Sequence, residues 1–156
     1  MRRSVVLSVA LAGFIAGTPL SPAQADTGSP APQSVMADSI GDFQTAGDRV
    51  HVSKAKTPTA SAHGWWINGS GPGIKAKVTI WLQAKDSKGH WHTVAKDVKT
   101  VKPSGGSQGR ATARKFCVGD ADTIWRSIVD VDVIGVNDSP DKLTTPATSL
   151  KCGAGL

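Results

Sequence analysis

The chain has 156 residues, with 18 Lys and Arg against 12 acidic residues, a formal net charge of +6 and no Glu at all. This length fits one domain with an extension, and no stretch beyond residue 17 is long and apolar enough to span a bilayer. The sequence therefore predicts neither an integral membrane protein nor, from so modest a basic charge, a nucleic-acid-binding protein.

Residues 1–25 have the features of a secretory signal peptide. Two arginines after the first Met precede an apolar run at 5–17, and Ala-Gln-Ala at 23–25 has the small-x-small pattern of a cleavage site. We therefore expect a secreted, extracellular product that begins at Asp26.

The next segment, 26–48, is predicted to be a flexible N-terminal arm. It carries four Asp and no Lys or Arg, and it is rich in Pro, Gly and Ser. Val35, Met36, Ile40 and Phe43 interrupt this polar run. Sparse apolar side chains in a flexible segment are typical of a piece that orders on a partner, so we predict that these four bind one. The same pattern also fits a plain spacer, or a segment that docks on its own domain.

The remaining residues, 49–156, predict an all-β domain. From Asp26 onward the chain has 12 Val, 12 Thr, seven Ile and five Trp against four Leu, a composition that favours strands over helices. Turn signals separate strand-like runs at 49–53, 63–68, 74–84, 91–101, 110–118, 124–136 and 148–152. We expect an antiparallel, immunoglobulin-like β-sandwich of about seven strands.

Two of these runs alternate clearly between apolar and polar residues. At 74–83 the even positions are apolar, and Trp81 lies among polar residues on the other face. An aromatic ring on a wet face indicates either a partner site, our prediction for Trp81, or a ring covered by neighbouring lysine stems. At 124–136 the odd positions from Trp125 to Val133 should face the core.

Cys117 and Cys152 are the two cysteines of a chain that is expected to reach an oxidising environment. We predict that they form one disulfide, because neither has a His or a second Cys nearby in the sequence.

Residues that could carry chemistry are few and lack supporting context. Asp130 and Asp132 could contribute to a calcium site or to hydrolysis, but they are more typical of a solvated face paired with Arg or Lys. His90 and His92 lie on one side of a strand without a third ligand, and Ser70 has no base and no nucleophile elbow. We predict no catalytic residue, no metal site and no cofactor.

Lysines are concentrated around the central hairpin, at positions 75, 77, 85, 88, 96, 99 and 102. With Trp81 among them they could hold single-stranded nucleic acid or an anionic wall polymer, although a secreted domain of modest net charge more often carries lysines for solubility.

Three runs carry a resemblance to known proteins: "GWWINGSGP", "VTIWLQAKDSKGHWHTVA" and "WRSIVDVDVIGVNDSPDKL", the last of which is followed by the C-terminal Cys. In these runs the chain resembles a group of small secreted actinobacterial proteins, of which the adaptor subunit of the Streptomyces umbrella toxin particles is one. The resemblance covers 33–156. It implies a small sandwich with an extended arm, in which 33–48 inserts into the crown repeats of a large toxin subunit. It also implies that the domain binds the degenerate protease-like module of a lectin-bearing spoke subunit.

The residues predict a secreted, non-enzymatic binding protein, and the resemblance implies that it is an adaptor that links the subunits of an extracellular toxin complex. The alternative is a free-standing secreted inhibitor or a module that binds an anionic wall polymer through the lysine hairpin.

Overall fold

The computed structural model describes residues 34–36, 43–53, 56–69, 73–137 and 141–156. Within these ranges the chain is all-β, with two antiparallel sheets of five strands each. The strands are β1 (Ser34–Met36), β2 (Phe43–Asp48), β3 (His51–Ser53), β4 (Thr59–Asn68), β5 (Ala76–Lys85), β6 (Trp91–Val101), β7 (Ala111–Phe116), β8 (Asp122–Val133), β9 (Leu143–Thr144) and β10 (Thr148–Lys151). In this part of the chain no helix is long and apolar enough to cross a membrane.

Sheet A is built around β4. One edge of β4 pairs with β2 along its C-terminal half and with β3 along its N-terminal half, and the other edge pairs with β7. Strand β1 adds to the free side of β2. Since β2 and β3 follow one another along the same edge, the short connection at residues 49–50 is a break within one continuous border of the sheet.

Sheet B has β5 and β8 in its interior, and β5 forms a hairpin with the edge strand β6. The other edge of β5 pairs with β8, whose far edge pairs with β10 and then β9. The hairpin turn is the predicted one: Gly89 has φ of 90°, and its N–H donates to the carbonyl of Asp86 at 3.1 Å. Glycine suits this left-handed position because it has no Cβ.

The core lies between the inner faces of the two sheets and contains two fully buried tryptophans. Trp66 of β4 donates its Nε1–H to the carbonyl of Val101 at 3.2 Å, and Trp125 of β8 donates to that of Cys152 at 3.1 Å. Both indoles thus bury a large apolar surface without leaving a donor unpaired.

The alternation predicted for the two runs is confirmed. Five even positions of β5 and five odd positions of β8 are buried: Ala76, Val78, Ile80, Leu82, Ala84, Trp125, Ser127, Val129, Val131 and Val133. Thr79, expected on the wet face of β5, is buried as well. Ile74, expected on the same inner face, is 76% exposed, because it precedes the first paired residue of β5. The disulfide between Cys117 and Cys152 is also confirmed.

Strand β2 corrects the expectation of a flexible arm over 43–48. Its residues from Phe43 to Gly47 pair with β4, and the Phe43 ring packs edge-on against Trp66 with centroids 6.5 Å apart. Phe43 is therefore a core-packed side chain rather than a free anchor, and the sheet begins before the expected boundary at Arg49.

The other predicted arm anchors lie further toward the N-terminus. Val35 and Met36 belong to β1, where they pair with Gly47 and Ala46. This short strand is thus part of sheet A as well. Ile40 lies outside the described residues.

Candidate functional site

The outer face of sheet B brings two tryptophans together with several cations. We call it the basic-aromatic face and define it by Trp81, Lys85, Trp91, Lys96, Arg126 and Lys142. Residues that alternate with the core positions of β5 point to this face. The antiparallel register sets Trp81 beside Lys96 of β6, and Lys85 beside Trp91. Neighbouring strands therefore supply an aromatic ring and a cation at matching positions.

Trp81 is half-buried beneath two lysines. The Nζ atoms of Lys96 and Lys142 each lie 5.3 Å from the centroid of its ring. Lysine ammonium groups at this distance are attracted by the ring quadrupole. The expectation that lysine stems cover this ring is met, while the partner-binding role of Trp81 stays a prediction.

Trp91 also lies beneath two cations, and one of them is closer to its ring. The Arg126 Cζ atom lies 4.1 Å from the ring centroid and the Lys85 Nζ atom 5.6 Å from it. Arg126 Nε also donates to Gln83 Oε1 at 2.8 Å, which fixes the guanidinium over the ring. Trp91 could not be assigned to this face from the sequence, because its contact with Arg126 depends on the register of β8 and β6 on the two sides of β5.

The two carboxylates considered for chemistry are ion-paired at this face. Asp130 Oδ2 accepts from Lys142 Nζ at 2.7 Å, and Asp132 Oδ2 is 2.7 Å from Lys77 Nζ. The hydrogen bond and charge of Asp132 raise the pKa of Lys77 above its ordinary value. These contacts agree with the interpretation of Asp130 and Asp132 as a solvated, paired face.

The remaining cations give the face its positive charge. Among the described residues, Lys85, Lys96 and Arg126 form no ion pair with a carboxylate.

Phe43, the one predicted arm anchor whose side chain is described, packs on Trp66 in the other sheet. The structure does not bring Phe43 and Trp81 together.

His90 and His92 share the carboxylate of Asp86 at the end of the β5–β6 hairpin. Asp86 Oδ2 lies 2.8 Å from His92 Nε2 and 3.5 Å from His90 Nδ1. Its Oδ1 accepts backbone N–H groups of Lys88 and His90 at 2.9 and 2.8 Å. The hydrogen bond from His92, with those from the turn backbone, lowers the pKa of Asp86 to about 2. These contacts stabilise the β5–β6 turn.

A second cluster of His and Asp lies on the outer face of sheet A. Asp48, His51 and His63 come from β2, β3 and β4, and Asp48 and His63 are only 5% and 6% exposed. This group was not predicted from the sequence, because Asp48 lies in the predicted arm and His63 is 15 residues from it. Only the pairing of β2 with β4 makes them neighbours.

Comparisons with known family models, with curated proteins and with solved structures found no match.

Proposed function

We propose that this protein is a secreted, non-enzymatic binding protein that acts as an adaptor, and that it holds an acidic surface of a protein partner on the basic-aromatic face. The observation that carries this proposal is the pairing of Trp81 and Trp91 with four cations on one outer sheet face. Trp and Arg supply much of the binding energy of protein interfaces.

The side chains of this face are already held in position. Arg126 is held over the Trp91 ring by Gln83, and Lys142 is held over the Trp81 ring by Asp130. Ordering side chains on binding costs about 0.5–1.5 kcal/mol for each flexible group. A face that is ordered before the encounter avoids part of this cost.

The cations that form no ion pair with a carboxylate of the described residues favour an acidic partner surface. Lys85, Lys96 and Arg126 would steer such a surface and fix its orientation. Export through the predicted signal peptide is consistent with the disulfide, since disulfides persist in oxidising compartments.

The resemblance to the umbrella toxin adaptor supports the adaptor role, with a lectin-bearing spoke subunit and a large repeat-containing toxin subunit as partners. An immunoglobulin-like strand arrangement is part of this proposal, supported by the two-sheet order in which β4 and β8 are central. The partner contact is assigned to sheet B rather than to 43–48, because those residues pair within their own sheet.

The alternative, an anionic wall-polymer binder or free-standing inhibitor, uses the same lysines. Polymer binding would depend mainly on total charge and would weaken steeply with salt. It would depend much less on the shape of one indole ring.

The test compares capture by the tagged secreted chain and three variants, using the culture supernatant and the purified wall polymer of the producing organism. We expect wild type and Arg114→Glu, a charge reversal on sheet A, to retain the same supernatant protein. Trp81→Ala and Lys96→Glu should lose it. Capture that survives both changes, or retention of wall polymer alone in a salt-sensitive manner, would contradict the proposal.

A further inference from the structure

We propose that Asp48, His51 and His63 form a binding site for a divalent transition-metal ion, with zinc as the best-suited ion. The three side chains belong to three strands that meet at the β2–β3 break. Their ligand atoms all lie within 4.8 Å of one another.

The alternation of side chains places the cluster on the outer face of sheet A. A Cβ on Gly47 or Gly64 would point at Val129 of the opposite sheet, so the neighbouring Asp48 and His63 point the other way. His51 pairs with Ser61, which shares the outer face with His63. All three candidate ligands therefore project from the same side.

A single carboxylate oxygen is the common point of the cluster. Asp48 Oδ1 accepts the backbone N–H of His63 at 2.6 Å, which orients the carboxylate. Oδ2 then lies 2.5 Å from His63 Nδ1 and 3.9 Å from His51 Nδ1. The two imidazoles stack with centroids 5.4 Å apart and an angle of 26° between the rings, so the two rings lie side by side next to that oxygen.

The hydrogen bond between Asp48 and His63 does not by itself account for His51. Among the described residues, the one hydrogen bond of His51 Nδ1 is to the carbonyl of Arg49 at 3.3 Å, and Asp48 Oδ2 lies 3.9 Å away from the same nitrogen. A cation in place of the shared proton would engage all three groups. Zinc bonds of about 2.0–2.2 Å set tetrahedral ligands about 3.3 Å apart, so Oδ2 and His63 Nδ1 would separate slightly while His51 moves closer.

The donor set defines the class of ion. Two imidazole nitrogens and one carboxylate oxygen suit Zn²⁺ and related first-row ions, whereas Ca²⁺ and Mg²⁺ prefer oxygen ligands alone. His51 is the most accessible of the three, with 27% of its side chain exposed, and it gives an ion a route from solvent. Three protein ligands leave a fourth position for water.

The test is titration of the full secreted chain with Zn²⁺ by calorimetry and with Co²⁺ by visible absorption. Wild type should bind one ion, gain the d–d bands of a tetrahedral Co²⁺ site and rise in melting temperature. His51→Asn, at the half-exposed ligand, should fold like wild type and bind at least tenfold more weakly. The double variant His90→Asn, His92→Asn is the matched control and should bind like wild type.

Two results would overturn the proposal. One is the absence of Zn²⁺ and Co²⁺ binding by wild type. The other is binding that is unchanged in His51→Asn. If binding also disappears in the control without His90 and His92, the hairpin cluster is the metal site instead. Asp48→Asn should also abolish binding. Because Asp48 is buried, this variant could fail to fold, and in that case the result for His51→Asn decides.

Discussion

Trp125 donates its indole N–H to the carbonyl oxygen of Cys152, the residue whose sulfur is bonded to Cys117. The central strand β8 is thus connected through one buried side chain to the covalent link between the end of β7 and the C-terminal segment. Both Trp125 and Cys152 are fully buried.

Replacement of both cysteines by Ala should lower the free energy of unfolding by about 4 kcal/mol. The disulfide closes a loop with a sequence separation of 35, and the chain-entropy model gives about this value for such a loop. Urea unfolding followed by tryptophan fluorescence measures the difference, with the reduced wild-type chain as control. A loss below about 1 kcal/mol would show that the bond does little to restrict the unfolded chain.

A chain that begins at Arg49 should be much less stable than one that begins at Ser34. The shorter chain loses the pairing of β2 with β4, the packing of Phe43 on Trp66 and the carboxylate partner of His63. Truncation of a fully buried Phe costs about 3–5 kcal/mol, and the half-buried Phe43 accounts for part of such a loss. Thermal unfolding of the two chains measures this, and equal melting temperatures would show that 43–48 is a dispensable arm.

Much of sheet B was predictable from the sequence, because its strands alternate regularly. The even positions of β5 and the odd positions of β8 meet the core as the period of two predicts. The tight turn after β5 was also predictable from its residues. Gly89 adopts the positive φ of the turn, and the Asp86 carboxylate accepts the backbone N–H of Lys88.

Sheet A was harder to predict, since its strands use small residues where strands usually have large ones. Strand β2 contains Ala46 and Gly47, and β4 begins at Thr59 with Ala60 and Ala62 facing inward. Such residues have low strand propensity, but here they allow a close approach to the opposite sheet. The metal-site candidate was missed for the same reason, because it depends on the pairing of β2.

The pKa of Asp86 should change when His92, but not His90, is replaced. The pKa of Asp86 is about 2, chiefly because His92 donates a hydrogen bond to it. Its folded pKa lies below the ordinary 3.8, so its contribution to stability is present above pH 4 and is lost as the pH falls toward 2. A carboxyl NMR titration should show a higher pKa in His92→Asn and little change in His90→Asn. A similar rise in both variants would contradict the assignment to His92.

The close contact between the two sheets at Gly64 gives a test of their packing. A Cβ at this position would lie 2.7 Å from Val129 Cγ1, and Val129 is fully buried. Gly64→Ala should therefore destabilise the fold by about 1–3 kcal/mol through overpacking. Val129→Ala should also destabilise it, because it removes two buried methyl groups.

The double variant Gly64→Ala, Val129→Ala should be more stable than the sum of the two single changes predicts, because the new methyl group occupies space that Val129 leaves. A coupling of about 0.5–3 kcal/mol is typical of residues in direct contact. Gly106→Ala serves as the control, since a Cβ there would meet only the flexible Ser104 hydroxyl at 3.3 Å. Additive effects in urea unfolding of the four chains of the cycle would mean that the sheets do not approach each other at Gly64.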